Sequence, residues 1–302
     1  MIDRYVFALV AIQLAAAAPS WAQSTTLSSP LENTKPRVIT LTPHLAEIVH
    51  AAGGTHLLVG ISAHSNHPSS IKNLPIISDA RSIDLERMNS LQPTLIIYWE
   101  SGTPNTQIAA LKKYFSGTPT KILGTEPRKL EDIARDIEGI GQLLGTGKVA
   151  KASAKQFREQ VKHLEQQNKK GISKNPPIRV FYQIWAQPLM TLNREHLIGE
   201  IIQLCGGEQL FAKEKLLVST ISRESVVKAD PEIIFTAVDN PNIKTDWSMW
   251  SSLPQLSATK NKAFVEINGD TISRPSPQIL VGAEKMCAAI EQVRRAKYRS
   301  SN

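Results

Sequence analysis

An internal duplication is the feature of this sequence that most constrains its fold. Glu47 stands six residues before a Gly-Gly pair, and Glu200 stands six residues before another such pair. Further along, Glu86 and Glu224 each stand seven residues before a proline that leads into an apolar triplet. Each pattern alone is common in α/β proteins, because helices often end at glycine and proline often follows a helix. Four anchors in the same order favour duplication over coincidence and predict two lobes of similar build.

The first residues have the pattern of a secretory signal peptide. Arg4 supplies a positive charge, residues 6–18 are mostly apolar, and Ser20-Trp21-Ala22 offers a small-x-small cleavage site. We therefore expect a signal peptide at residues 1–22, followed by a flexible leader rich in Ser, Thr and Pro at residues 23–36. No cysteine lies near the cleavage site, and no later run approaches the ~18 apolar residues of a spanning helix. A soluble, exported protein without a lipid anchor is expected.

The length and the local patterns predict two domains. About 280 mature residues exceed one typical hydrophobic core. Strand patterns alternate with helix patterns, which favours parallel sheets with helices on their faces. We predict an α/β protein with two Rossmann-like lobes, residues 37–146 and 172–302, whose parallel-rich sheets are joined by one long helix at residues 147–171. The ligand cleft should lie between the lobes, at the carboxyl ends of both sheets.

The individual elements are predicted from hydrophobic periodicity and from Gly and Pro breakers. In the first lobe we expect strands at 38–41, 57–61, 95–98 and 121–123 and helices at 45–52, 85–91, 105–114 and 130–144. In the second lobe we expect strands at 179–183, 233–237 and 263–267 and helices at 195–205, from 223 onward and at 277–295.

The charge pattern and the missing motifs favour a binding protein. The net charge is +8, but Lys and Arg are interleaved with Asp and Glu, apart from short clusters at Lys169-Lys170 and Arg294-Arg295. This is typical of solvated helix faces, so no nucleic-acid partner is expected. The sequence lacks phosphate-loop, nucleophile-elbow, dinucleotide-binding and zinc-protease motifs. We assign no catalytic residue.

Aromatic, imidazole and charged side chains follow the predicted strands, where ligands of such folds bind. They are His44, His64, His67, Trp99, Trp185, Asp270 and Arg274. Tryptophans in a cleft supply apolar contact area with little entropy to lose, which suits a large, flat ligand. The Asp and Arg side chains could hydrogen-bond amides or hold an anion. Each of these assignments also has an alternative, since the tryptophans could belong to a hydrophobic core and the Asp and Arg could form a surface ion pair.

The spacing His64-x-x-His67, with His44 from a neighbouring loop, leaves a metal site as an alternative. Three imidazoles are enough in number to bind zinc. However, Pro68 follows directly and no acidic ligand lies nearby in sequence. We assign no metal ligand and keep a metal-dependent enzyme as the less favoured function.

Glu86 and Glu224 both fall at the start of a short predicted helix, where the helix dipole favours a carboxylate. They could therefore be ordinary N-terminal charges. Since the duplication places one in each lobe, they could instead dock onto basic residues of a two-fold symmetric partner.

Cys205 and Cys287 are the only cysteines of the chain. In an oxidising compartment an even pair is most simply a disulfide. A catalytic thiol is the alternative, although nothing near either cysteine resembles an activating histidine.

These motifs together resemble those of the vitamin B12-binding proteins of bacterial ABC importers, whose two lobes are joined by one rigid helix. The resemblance covers essentially the whole mature chain. It rests on Arg37 to Pro43, Asp84-Leu85-Glu86-Arg87, Pro93 to Trp99, Cys205-Gly206-Gly207-Glu208, Ser222-Arg223-Glu224, Asp270 to Arg274 with Ser276-Pro277, and Cys287. It is more specific for the family than for the ligand, because haem-binding and siderophore-binding relatives share the scaffold.

The resemblance implies capture of cobalamin or a related corrinoid and its delivery to an ABC permease dimer with ATPase subunits. Cobalamin would be the transported ligand, no cofactor is expected, and the protein should be a soluble periplasmic monomer. By position, the resemblance assigns ligand contact to His64, Trp99, Trp185, Asp270 and Arg274, docking on permease arginines to Glu86 and Glu224, and a disulfide to Cys205 and Cys287.

The sequence departs from that family at two pocket tryptophans, which correspond here to Ala80-Arg81 and to Val218. A haem or ferric-siderophore ligand therefore remains the alternative within the same fold, with His64 or His67 as an axial ligand in the haem case.

Overall fold

The computed structural model describes residues 35–79, 81–172, 175–240, 242 and 244–299. The predicted signal peptide, residues 1–22, and all but the last two residues of the predicted leader, 23–36, lie outside the described residues. In the described part of the chain, no helix has both the length and the apolar character needed to cross a membrane.

The N-terminal lobe is a five-stranded parallel sheet covered by helices on both faces. Its strands are β1 (Val38–Thr40), β2 (Leu58–Ser62), β3 (Ile76–Ser78), β4 (Leu95–Trp99) and β5 (Lys121–Thr125), and its helices are α1 (Pro43–Ala51), α2 (Leu85–Ser90), α3 (Asn105–Tyr114) and α4 (Leu130–Leu143). The strand order is β3-β2-β1-β4-β5. Because both faces are covered, these strands read as continuous apolar runs rather than as alternating patterns.

One long helix, α5 (Gly147–Ile172), leads out of the first lobe. At 26 residues it spans about 39 Å. It packs closely on α4, because Gly141 has no side chain and Ala150 fills the space that a Cβ there would need. Arg158 of α5 also donates to Glu131 and to Glu138 of α4, each at 2.7 Å. The helix is therefore fixed to the first lobe along its N-terminal half.

The C-terminal lobe contains a four-stranded parallel sheet and a small antiparallel sheet. Its strands are β6 (Ile178–Gln183), β7 (Trp185–Ala186), β8 (Leu189–Leu192), β9 (Gly207–Gln209), β10 (Val218–Thr220), β11 (Ile233–Val238) and β12 (Phe264–Asn268). Its helices are α6 (Leu197–Leu204), α7 (Arg223–Ala229), α8 (Ser248–Ser251), α9 (Ser257–Lys260), α10 (Gly269–Ile272) and α11 (Ile279–Arg299). The parallel sheet has the order β12-β11-β6-β9, and the antiparallel sheet has the order β10-β8-β7.

The two parallel sheets repeat one strand order, as the duplication predicts. The series β2-β1-β4-β5 of the first lobe corresponds to β9-β6-β11-β12 of the second. The helices α1 and α6 hold the two Glu-to-Gly-Gly segments, and α2 and α7 hold the other repeated glutamates. The predicted fold class, two α/β lobes joined by one long helix, is confirmed.

The hydrophobic core is continuous from one lobe to the other. Val38 of β1 and Ile178 of β6 belong to the same buried cluster, and Phe157 and Leu164 of α5 lie within it. The opposite face of each sheet has a separate cluster, around Ile96 in the first lobe and around Phe181, Ile234 and Trp250 in the second. Successive strand residues point to opposite faces, so the central strands β1, β4, β6 and β11 contribute both to the cluster shared by the lobes and to the separate cluster of their own lobe.

The structure differs from the predicted elements mainly in short segments. Helix α1 begins at Pro43 rather than at the predicted 45, because proline is accommodated in the first turn of a helix. His44 therefore lies inside that helix and not in a turn. Strands β3, β7 to β10 and helices α8 to α10 were not predicted, since two to four residues are too few to show a period.

A disulfide joins Cys205 to Cys287 and ties α6 to α11. Cys205 ends α6, and its Cα lies 4.6 Å from that of Cys287. Next to it, the buried guanidinium of Arg294 donates to the carbonyls of Cys205 (3.2 Å) and Gly206 (2.9 Å). The C-terminal helix is thus anchored to the end of α6 by a covalent bond and by hydrogen bonds.

Replacing both cysteines by alanine should lower the free energy of unfolding. The disulfide joins residues separated by 82 positions, and on the chain-entropy model its loss costs about 4 kcal/mol. Urea unfolding followed by circular dichroism measures this change. Wild-type protein in the presence of dithiothreitol should show a matching shift, and an unchanged midpoint in both samples would contradict the prediction.

Candidate functional site

A cavity of about 230 Å³ lies at the carboxyl ends of the N-terminal strands. Residues after β1, β2 and β4 line it, including His44, His64 and Trp99. Ser273 and Arg274 of the second lobe complete the wall. The cavity therefore lies where ligands of parallel α/β sheets bind, and both lobes contribute to it.

His44 and Trp99 form the apolar floor of this cavity. Their rings meet edge to face, with centroids 5.2 Å apart and an angle of 87° between the planes. His44 is only 3% exposed, and burial, assisted by the positive charge of Arg274, lowers its pKa to about 3. Desolvation disfavours the charged imidazole, so His44 is neutral at physiological pH.

Two buried nitrogens of this pair have no hydrogen-bond partner within the described part of the chain. They are Nε2 of His44 and Nε1 of Trp99. The other ring nitrogen of His44 lies 3.2 Å from the hydroxyl of Thr42. Buried polar atoms normally have partners, but both nitrogens are inaccessible in this conformation, so a ligand group could reach them only if the cleft rearranges. The two rings therefore present mainly apolar surface to the cavity.

Gly102 fixes the position of the Trp99 ring. The chain turns after β4, and the N–H of Thr103 donates to the carbonyl of Trp99 at 3.0 Å. In this turn the indole lies directly over Gly102, where a Cβ would overlap ring atoms. A glycine is needed here because of this close approach, and any side chain would displace the indole.

Arg274 and Asp270 form a polar network across the lobes. Arg274 pairs with Asp270 on one side, and it donates to Glu47 of α1 at 3.1 Å and to Oδ1 of Asn66 at 2.8 Å. The amide nitrogen of Asn66 donates in turn to Asp270 at 2.8 Å. A further bond, of 3.2 Å, joins Arg274 to the carbonyl of His64. The Asp–Arg pair therefore bridges the two lobes and is not an isolated surface ion pair.

A smaller recess of about 50 Å³ extends the cavity along the cleft. Ser101 and residues 126–128 line it from the first lobe, and residues 195–198 line it from the second. Trp99 and Ser273 line both recesses. Trp99 thus lies at the middle of the cleft rather than in the interior of either lobe.

Trp185 lies apart from these recesses. It is in β7 and is 61% exposed, and its indole N–H donates to the carbonyl of Gln187 at 2.8 Å. β7 follows directly after β6, so the ring extends from the end of the second sheet. Trp185 is not a core residue, and it is not among the residues that line the cavity.

The histidines after β2 face different surroundings. His64, with a positive φ of 63°, lines the cavity. His67 instead lies edge-on to His50, with centroids 5.8 Å apart, and its Nε2 lies 3.2 Å from the amide nitrogen of Gln278. Among the residues with described positions, no group of three or more His, Cys, Asp or Glu side chains could hold a metal ion.

Glu86 and Glu224 occupy equivalent, exposed positions in the two lobes. Glu86 is in the first turn of α2, which Asp84 caps by accepting from the N–H of Arg87 at 2.9 Å. Glu224 is in the first turn of α7, which Ser222 caps in the same way. The pKa of Glu224 is lowered by hydrogen bonds from its own N–H and from Ser222. Each short helix leads into the strand beside the first strand of its sheet.

Sequence reasoning placed some residues of the cleft and missed others. It selected His64, Trp99 and Arg274, which the structure brings to one cavity, but it did not select Asn66 or Ser273. A usable signal existed for Asn66, which lies between the two histidines after β2. No local signal marks Ser273. Of the residues at the two departures from the family, Ala80 lies outside the described residues, Arg81 is exposed and Val218 begins β10. Neither Arg81 nor Val218 is among the residues that line the two recesses.

Comparison with known proteins gives the family. The model of the periplasmic binding protein family matches residues 38–271. A vitamin B12-binding protein of Vibrio cholerae serotype O1 is 31% identical over 258 residues, which are 84% of this chain and 89% of that protein. A vitamin B12-binding protein of Vibrio parahaemolyticus is 32% identical over 261 residues, 86% of this chain and 91% of that protein.

Solved structures agree with this assignment. The crystal structure of the periplasmic vitamin B12-binding protein BtuF of Vibrio cholerae has a TM-score of 0.75 and 30% identity, covering 86% of this chain and 98% of that chain. The periplasmic haem-binding protein RhuT of Roseiflexus has a TM-score of 0.73 but only 19% identity, covering 86% of this chain and 100% of that one, and it shows the fold alone. The resemblance read from the motifs is confirmed at the level of the family, and this chain belongs to the periplasmic binding protein family.

Proposed function

We propose that this protein captures cobalamin or a related corrinoid in the interlobe cleft and delivers it to an inner-membrane ABC permease. The observation that carries the proposal is the identity of about one third with vitamin B12-binding proteins over most of both chains. The protein would act as an exported, soluble monomer, with residues 1–22 removed as a signal peptide. Its lobes would be residues 37–146 and 172–302, with residues 147–171 between them. Binding and release need no catalysed reaction and no cofactor.

Several features of the cleft support a corrinoid ligand. Such a ligand presents a flat macrocycle with amide side chains, and Trp99 offers an apolar ring beside the neutral imidazole of His44. The unpartnered nitrogens of both rings could meet amide groups of the ligand only after the cleft rearranges. Asp270 could accept from further amides at the edge of the cleft, and the exposed ring of Trp185 could cover the ligand from the second lobe.

The size of the cavity sets a condition on binding. At about 230 Å³ it is smaller than the roughly 300–1,000 Å³ of ordinary ligand pockets. A corrinoid must therefore extend beyond this cavity into the mouth of the cleft, near the contact between Asn66 and Asp270. We infer that His64, Asp270 and Arg274 exchange some of their interlobe partners for the ligand.

Delivery would use Glu86 and Glu224. The two carboxylates are exposed, one lies in each lobe, and the lobes share one strand order. A two-fold symmetric permease with basic residues could therefore bind both glutamates at once, and its ATPase subunits would supply the energy for transport.

A second candidate ligand is haem. The observation that favours it is His64, whose exposed imidazole lines the cavity at a position where it could contact the metal of a porphyrin.

Purified protein should bind cyanocobalamin in titration calorimetry, with one ligand per chain. Haemin serves as the comparison ligand, followed by its Soret band. Absence of cyanocobalamin binding at tens of micromolar would contradict the corrinoid proposal. If haemin shifts its Soret band on binding and His64→Ala abolishes that shift, haem replaces the corrinoid as the proposed ligand.

The variant Gly102→Ala should weaken ligand binding about tenfold, because its Cβ would displace the Trp99 indole from the cleft. Calorimetry gives the affinity, and tryptophan fluorescence reports the changed environment of the ring. Gly147→Ala is the matched control, since a Cβ there meets no neighbouring atom within 4 Å. Equal affinities for the two variants would show that the position of Trp99 does not matter for binding.

Alanine at Glu86 or Glu224 should leave ligand affinity within about twofold, since neither side chain lines the cleft. Transport into proteoliposomes containing the cognate permease should fall strongly, and the double variant should fall furthest. Glu208→Ala, which removes an exposed carboxylate from β9, is the control. Normal transport by the double variant would rule out docking through these residues.

A further inference from the structure

The first pair of duplicated glutamates makes contacts between the lobes. Glu47 lies on α1 of the N-terminal lobe and is 3% exposed. One of its carboxylate oxygens accepts from Arg274 at 3.1 Å, and the other accepts from the hydroxyl of Ser276. Both donors belong to the C-terminal lobe, so this carboxylate joins the lobes through a buried charged pair.

Glu200 makes the reciprocal contact. It lies on α6 of the C-terminal lobe and is half-buried. Its Oε2 accepts a hydrogen bond of 2.7 Å from the backbone N–H of Leu130, the first residue of α4 in the N-terminal lobe. Burial raises the pKa of Glu200, and the Leu130 N–H opposes that shift.

The two contacts are equivalent under the symmetry that relates the lobes. In each lobe the glutamate lies in the helix that precedes a Gly-Gly pair, and it meets the segment that begins a later helix of the opposite lobe. For Glu200 this helix is α4, which follows β5, the last strand of the first sheet. For Glu47 it is α11, which follows β12 and α10, and Ser276 helps to cap it by accepting from the N–H of Gln278 at 3.2 Å. Glu200 accepts from a backbone N–H at the start of α4, where a carboxylate is favoured, whereas Glu47 accepts from two side chains just before the start of α11. The two contacts are thus alike in position and differ in their donors.

Both glutamates lie on helices that pack against the connecting helix. The helices α1 and α6 each pack against α5. A single helical connection restrains the distance between two lobes better than it restrains their rotation about the helix. Two additional contacts beside it restrain that rotation. The contact between Asn66 and Asp270, in contrast, includes a residue of the loop after β2, next to the cavity.

We propose that Glu47 and Glu200 are positioning residues that form a two-point pivot beside α5, and that Glu47 also fixes Arg274 at the ligand cleft. The pivot sets the angle between the lobes before any ligand binds. Through Arg274, the same contact orients a residue of the cavity wall. Neither glutamate needs to touch the ligand for this role.

Paired spin labels on the ligand-free protein test the pivot directly. Cysteines introduced at Lys113 in α3 and Lys228 in α7, both exposed, place one label on each lobe. The native disulfide leaves no other thiol to react. Double electron–electron resonance should give one narrow distribution of label-to-label distances for the parent protein. Glu47→Ala and Glu200→Ala should each broaden or shift this distribution by more than its original width. The double variant should show the largest change.

Glu266→Ala is the matched control. Its carboxylate accepts from the N–H of Thr245 at 2.7 Å, which is the same kind of contact made within one lobe. This variant should lose stability but keep the parent distance distribution. If an alanine variant fails to fold, Glu47→Gln and Glu200→Gln replace it, and a smaller broadening is expected. Distributions for Glu47 and Glu200 variants that equal that of the Glu266 variant would overturn the pivot.

Ligand affinity tests the link from Glu47 to Arg274, and this step rests on the proposed cobalamin function. Glu47→Gln should weaken cyanocobalamin binding about tenfold, because Arg274 loses its buried carboxylate partner, while Glu266→Gln should not. Equal affinities would overturn the link. If the parent protein does not bind cyanocobalamin, the proposed function fails, and the spin-label comparison still decides whether the pivot exists.

Discussion

The continuous apolar core around α5 is the constraint on which the rest of the structure depends. Strands of both sheets pack into one buried cluster, and Phe157 and Leu164 of the connecting helix lie within it. Separating the lobes would expose this surface at roughly 25 cal/mol for each Å². Opening that separates the strands of this shared core is therefore unfavourable. The two sheets consequently keep their carboxyl ends close together, which is what creates a site between them.

This close approach also determines the polar chemistry of the cleft. Charged groups buried between lobes need partners, and Arg274 finds them in Glu47, Asn66 and Asp270. In the first lobe the same region holds a neutral, buried imidazole beside an indole, since burial keeps His44 uncharged. The cleft thus combines an apolar wall with a polar network that already has its partners. A ligand can pack on the apolar wall directly, but it must compete with interlobe contacts for the groups of the polar network.

The duplication has produced two pairs of glutamates with different surroundings. Glu86 and Glu224 are exposed at the starts of short helices, where an external partner can reach them. Glu47 and Glu200 are withdrawn into the interface between the lobes, where each meets the start of a helix in the other lobe. One repeat therefore supplies both an outward-facing pair and an inward-facing pair. The sequence patterns around the two pairs are equally regular, so only burial and contacts in the structure distinguish one pair from the other.

The sequence by itself determined the alternation of strands and helices, the long connecting helix and the placement of Trp99 and His64 at strand ends. These features depend on local periodicity and on breakers, as in α3, whose predicted bounds of 105–114 match Asn105–Tyr114. Only the tertiary structure decided which residues meet across the cleft. The partners Glu47 and Ser276 are separated by 229 positions, and β3, β7 and β9 form only because neighbouring strands lie beside them. Contacts between distant segments depend on how two lobes pack around α5, and no local pattern encodes that geometry.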